Sequence, residues 1–130
     1  MNVVTDTHPL IWFLTGRTRR LSQTARRVFN AAEAGRSGLH IPAVVLMELV
    51  LLEQIGRIRL SYADLRAQLA LRPTIQIEPL DAADVDEARA LAALPDPFDR
   101  MIAGTAVRLG LPLLTADAKI GALPNVETVW

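Results

Sequence analysis

Four acidic residues sit at the edges of apolar segments in this chain: Asp6, Glu48, Asp99 and Asp117. A carboxylate in such surroundings is costly to desolvate unless a positive partner holds it. If the fold gathers all four, the simplest shared partner is a divalent metal ion, because hard cations prefer carboxylate oxygens. The chemistry open to such a group is metal-assisted work on a phosphate ester.

Glu48 is the most informative of the four. It is the only charged side chain between Ile41 and Leu52, so its helix should be apolar nearly all round and buried. The plainer reading is a carboxylate facing solvent or paired with an arginine. Asp99 has a full alternative explanation. In Asp96-Pro97-Phe98-Asp99-Arg100, Asp96 can be an N-cap, Pro97 the first helical residue and Asp99 the third, favoured there by the helix dipole. Asp6 and Asp117 can each be a simple cap of the helix that follows. His8 and His40 are poor zinc candidates, since no cysteine and no close second histidine accompanies them.

The elements that must position these acids alternate between strand and helix. Asn2–Thr5 reads as a short buried strand ending at Asp6, with Pro9 opening a helix that Gly16 closes. Ser22 caps a helix whose Leu21, Ala25, Val28, Phe29 and Ala32 share a face. A strand over Leu39–Ile41 leads at Pro42 into a helix through Glu53. Gly56 breaks it, and Ser61 with Asp64 starts another helix running to about Arg72. Thr74–Ile77 is strand-like, Asp81–Leu94 helical, and Phe98–Leu109 a helix that Gly110 ends. Leu111–Thr115 and Val126–Val129 complete the strands, the latter at an edge.

This order predicts an α/β sandwich with a mostly parallel sheet. Ligands bind such sheets outside the carboxyl ends of the strands, near the point where strand order reverses. Asp6 and Asp117 both follow predicted strand ends and belong to one edge of the molecule.

Bulk properties narrow the classes further. The 130 residues make one domain, 1–130, with enough apolar content (51%) for a real core. Formal net charge is zero, which argues against a strongly basic nucleic-acid binder. Charge is uneven, however: residues 1–36 hold six arginines (17, 19, 20, 26, 27 and 36) against Asp6 and Glu33, an excess of four. Arginine's planar fork suits phosphate oxygens, although a solvated helical face explains any single one as well. Cysteine is absent, so disulfides and thiolate metal sites are excluded. No apolar run is long enough for a membrane span and no basic leader precedes the first strand, which together with the lack of cysteine fits a cytoplasmic location. There is no Gly-rich dinucleotide motif, phosphate-binding loop or serine nucleophile elbow.

Four ordered stretches carry a family resemblance: VVTDTHPLIWFL, IPAVVLMELVLL, DPFDRMIAGTA and LPLLTADAKI. With LSQTARRVF and GRIRL they cover nearly the whole chain, which resembles the PIN-domain ribonucleases and, among them, the VapC-type toxins of bacterial type II toxin–antitoxin (VapBC) pairs. The resemblance implies a PIN-like three-layer sandwich and a Mg²⁺- or Mn²⁺-dependent endoribonuclease. Its acidic cluster would fall on Asp6, Glu48, Asp99 and Asp117, as catalytic groups and metal ligands. Asp96 would be an accessory acid, and Thr7 and Thr115 would orient a carboxylate or water. Arg26, Arg27 and Arg100 are the expected RNA contacts. Implied partners are an RNA substrate, a cognate antitoxin and a second copy of the chain, with no membrane. The helices around Val44–Leu52 and Tyr62–Leu71 would leave the groove for the antitoxin. Two rivals stand beside this reading. A receiver-like phosphoacceptor domain would need paired acids after its first strand, where Asp6 stands alone; a non-catalytic RNA-binding module would bind without cutting.

Overall fold

A computed structural model describes all 130 residues. Five strands form one sheet: β1 (Val3–Thr5), β2 (Leu39–Pro42), β3 (Ile75–Glu78), β4 (Leu113–Leu114) and β5 (Thr128–Val129). Their spatial order is β3-β2-β1-β4-β5 and every pairing is parallel. Seven helices flank the sheet: α1 (Thr7–Leu14), α2 (Gln23–Glu33), α3 (Ala43–Gln54), α4 (Tyr62–Leu69), α5 (Ala82–Arg89), α6 (Pro97–Leu109) and α7 (Ala118–Gly121). A short 3₁₀ turn, Thr18–Arg20, joins α1 to α2.

Val3 and Val4 point to opposite faces of β1, and both are fully buried. Helices therefore cover the sheet on both sides, as all-parallel sheets require. The face expected on α2 packs inward as a unit, with Leu21, Ala25, Val28, Phe29 and Ala32 all buried. Phe29 stacks on Phe13 of α1 with ring centroids 4.7 Å apart. Gly110 ends α6 in a left-handed conformation (φ 65°), which a side chain would resist.

Several boundaries differ from the sequence expectation for physical reasons. Asp6, not Pro9, opens α1: its carboxylate accepts the Thr7 backbone N–H at 2.7 Å, leaving Pro9 as the third helical residue. α5 stops at Arg89 instead of Leu94, and the following turns are held by Arg100, whose guanidinium donates to the carbonyls of Leu94 and Ala92. α4 ends at Leu69, not Arg72. β4 and β5 shrink to two residues each, because only Leu113–Leu114 and Thr128–Val129 lie in register. α3 is not buried all round either: Met47 and Leu51 are exposed, as is Ile55 at its C-cap, and Glu48 is half-buried. Its near-uniform apolar composition concealed which face meets the core.

Candidate active site

The chain crosses from one half of the sheet to the other between β3 and β4, so the switch point lies between β1 and β4. Register pairs Thr5 with Leu114 there, and Asp6 donates its backbone N–H to the Leu114 carbonyl at 3.0 Å. One residue further on, Thr115 Oγ1 donates to Asp6 Oδ2 at 2.7 Å. Thr115 Oγ1 also accepts the Asp117 backbone N–H at 3.1 Å, tying the two strand-end aspartates to one hydroxyl. On the other side of Asp6, Thr7 Oγ1 donates to Glu48 Oε1 at 2.6 Å. Two buried threonines thus fix two carboxylates, that of Asp6 just after β1 and that of Glu48 on α3, together with the Asp117 backbone in the β4–α7 turn.

Asp6, Glu48, Asp96, Asp99 and Asp117 line one cavity of about 320 Å³, together with His8, Pro9, Trp12 and Ala116. No lysine or arginine lines it. Three of these aspartates are N-caps: Asp6 of α1, Asp96 of α6 and Asp117 of α7, each accepting a backbone N–H of its own helix. Capping and cavity lining therefore do not exclude one another. The helix N-termini supply partial positive charge that offsets part of the carboxylate repulsion.

The offset is incomplete. Asp99 is pushed up from 3.8 to about 7, first by burial and then by the charges of Asp96, Asp6, Asp117 and Glu48. Burial also raises Asp6, against the lowering effect of its bonds from Thr115 and Thr7. Glu48 is raised by burial, with the Thr7 bond opposing and the charges of Asp6 and Asp96 reinforcing. The cavity favours added positive charge, whether protons or a cation.

An all-oxygen donor set fits a hard divalent ion such as Mg²⁺ or Mn²⁺. The five carboxylates expected at the site all line it. They ring the cavity, and no group of three histidine, aspartate or glutamate side chains forms a ready-made ligand set. Mutual repulsion favours a ring over a tight cluster.

The expected RNA contacts lie elsewhere. Arg26 and Arg27 are exposed on α2, and neither lines the cavity. Arg100 is spent on the α5–α6 connection described above. Two features had no reading in the sequence. Trp12 lines the cavity one helical turn beyond His8, a spacing that could have flagged it. Asp84 is fully buried and accepts from Arg108 Nε at 2.6 Å; burial alone would raise its pKa, but the bonds from Arg108 and the Asp81 backbone hold it below the ordinary value.

Comparison with solved structures places the fold among known ones. A toxin–antitoxin complex from Klebsiella pneumoniae contains a chain 22% identical, with a TM-score of 0.66, over 98% of this chain and 96% of that one. VapBC2 from Rickettsia felis, bound to a DNA fragment from its promoter, gives 14% identity and a TM-score of 0.68 over 99% and 98% of the two chains. DNA-bound VapBC from Salmonella typhimurium gives 17% and 0.66, covering 99% and 97%. No curated protein matches the sequence. Strand order β3-β2-β1-β4-β5 also differs from the 2-1-3-4-5 order of receiver-like domains, which removes that alternative. The family model of the PIN domain matches residues 3–126, nearly the full length, and the chain belongs to the PIN-domain family.

Proposed function

We propose that this protein is a Mg²⁺- or Mn²⁺-dependent endoribonuclease acting as the VapC-type toxin of a toxin–antitoxin pair. The observation that carries the reading is the ring of five carboxylates at the β1–β4 switch point, with no lysine or arginine to neutralise it. Asp6, Asp99 and Asp117 would hold the ion, and Asp96 lies at the rim as an accessory acid. When bound, the ion would polarise the phosphoryl oxygen and lower the pKa of the attacking water. Glu48, whose raised proton affinity suits it to the task, would accept a proton from that water. Thr7 and Thr115 keep Glu48 and Asp6 in fixed rotamers through their hydroxyl bonds. Arg26 and Arg27 are the proposed contacts to the RNA backbone, away from the cavity.

The partners follow the same reading. An antitoxin segment would occupy a second, mostly apolar cavity of about 230 Å³ between α1, α2, α4 and the β2–β3 side of the sheet. Leu10, Phe13, Phe29 and Leu65 line it, with Glu33, Asp64 and Arg72 among its polar groups. That is nearer α1 and α2 than the α3–α4 position expected from sequence. A second copy would cover the exposed stripe of Met47 and Leu51 on α3 and Ile55 at its C-cap, spaced one helical turn apart. A cytoplasmic location belongs to this proposal; no helix is long and apolar enough to cross a membrane.

The test is incubation of the pure protein with defined tRNA, rRNA and mRNA in Mg²⁺, with mapping of the ends. Discrete new ends that vanish in EDTA are expected. Intact RNA, or cutting that persists without free metal, would sink the reading. Binding without cutting would favour the non-catalytic RNA-binding alternative.

A further inference from the structure

The acidic cavity repels the phosphates it is proposed to handle, and the chain's formal net charge is zero. Attraction by the whole molecule therefore supplies little of the binding of RNA, and with Arg26 and Arg27 away from the cavity, other groups must hold the strand at its mouth. One such set of groups is present. Trp12 and His8 both line the cavity, with ring centroids 6.1 Å apart. Trp130, directly after β5, meets Trp12 edge-on at 6.2 Å and is 40% exposed. Arg20, exposed on the 3₁₀ turn, lies 5.7 Å from the Trp12 ring centroid. It forms no salt bridge, so its charge is not committed to a carboxylate.

At the mouth of a phosphate-handling cavity, Trp12 is half-buried against the core, while Trp130 and His8 beside it are exposed, so a cluster of aromatic rings meets solvent there. Nucleobases are flat, apolar on their faces and attached to the phosphates in question. Stacking on an aromatic side chain contributes to single-strand binding without reading sequence. A neighbouring arginine can stack on the base or take the adjoining phosphate.

We propose that Trp12, flanked by Trp130, His8 and Arg20, is a stacking platform for one unpaired nucleobase of a single-stranded RNA whose adjacent phosphate enters the acidic cavity. The substrate class rests on the proposed ribonuclease reading; the platform itself is a binding site and is tested as one. It selects for single-stranded over duplex RNA, because a base inside a duplex has both faces covered by its stacked neighbours.

Trp12 and Trp130 are the only tryptophans in the chain, so fluorescence excited selectively in tryptophan, not in Tyr62, reports on the platform alone. The experiment titrates the full-length protein in Mg²⁺ with a 2′-O-methylated, phosphorothioate-linked RNA hexanucleotide, checked by gel to stay intact throughout the titration. It repeats the titration with single abasic positions along the strand. Quenching at saturation is expected, with one abasic position weakening binding about 5- to 150-fold and the others much less. Trp12→Ala should lose that position's preference, Trp12→Phe should keep most of it, and Trp130→Ala should weaken it with little effect on folding. Unquenched emission at saturation, absence of binding, or a flat abasic profile in the unmodified protein would overturn the platform. That readout does not depend on whether any variant folds. Cleavage of unmodified RNA is read in parallel. Cutting with a flat profile discards the platform and leaves the nuclease. A sharp profile without cutting keeps the platform and discards the nuclease.

Discussion

Asp99 concentrates the electrostatics of the cavity. Its carboxyl ionises at about 7 in the fold against 3.8 ordinarily, because burial and four neighbouring carboxylates disfavour its charge. Between those values the native state holds more protons than the unfolded chain, so stability falls as pH rises through that window. Asp6 and Glu48, also raised, act in the same direction. Asp84, held low by Arg108, acts oppositely and only at acid pH, below its ordinary 3.8. In EDTA, the urea midpoint of the wild type should therefore be lower at about pH 8 than at about pH 5.5, and Asp99→Asn should make that difference smaller. An Asn variant with the same pH dependence as wild type would show that Asp99 ionises normally. At this scale the sequence was informative where a residue's neighbours are close in the chain. Asp6 and Asp117 stood out because they follow strand ends, and Asp96 because its cap is local. Asp84 was silent, since the arginine that accounts for its burial lies 24 residues away.

α6 carries Asp96 and Asp99 into the cavity, and α5 holds α6 in place. The two helices approach closely at Gly104, where an added Cβ would lie 2.9 Å from the Asp84 carbonyl oxygen and 3.0 Å from the Ala88 backbone nitrogen. Both obstacles are backbone and cannot rotate aside. Helix propensity alone would make Gly104→Ala stabilising by about 1 kcal/mol. Overpacking costs about 1–3 kcal/mol, so the net change should be destabilising or, at best, neutral. The check is the urea midpoint; a rise of the size propensity predicts would mean the helices move apart freely. Element identity and order were largely readable from capping residues and apolar spacing. What the sequence hid was the exposed side of α3, because Met47, Leu51 and the C-cap residue Ile55 are as apolar as its core residues. The two-residue extents of β4 and β5 were hidden as well, since sheet register sets them and local pattern does not.

For the whole molecule, strand order decides what the acids can do together. Placing β1 beside β4 brings Asp6 alongside Thr115, residues 109 positions apart, and leaves the N-termini of α1, α6 and α7 at one cavity. Parallel sheet and helix layers were legible in the alternation of elements; the placing of Trp12 on the same cavity was not, because it depends on side-chain positions in three dimensions. In the proposed function these carboxylates cut RNA with a divalent ion. The most direct measurement compares wild type with Asp6→Asn and Asp99→Asn, each keeping shape and removing charge, on RNA in Mg²⁺. Wild type should cut, EDTA should stop it, and each variant should lose about 100-fold or more in rate while staying folded. Asn variants that cut RNA at the wild-type rate would contradict the account.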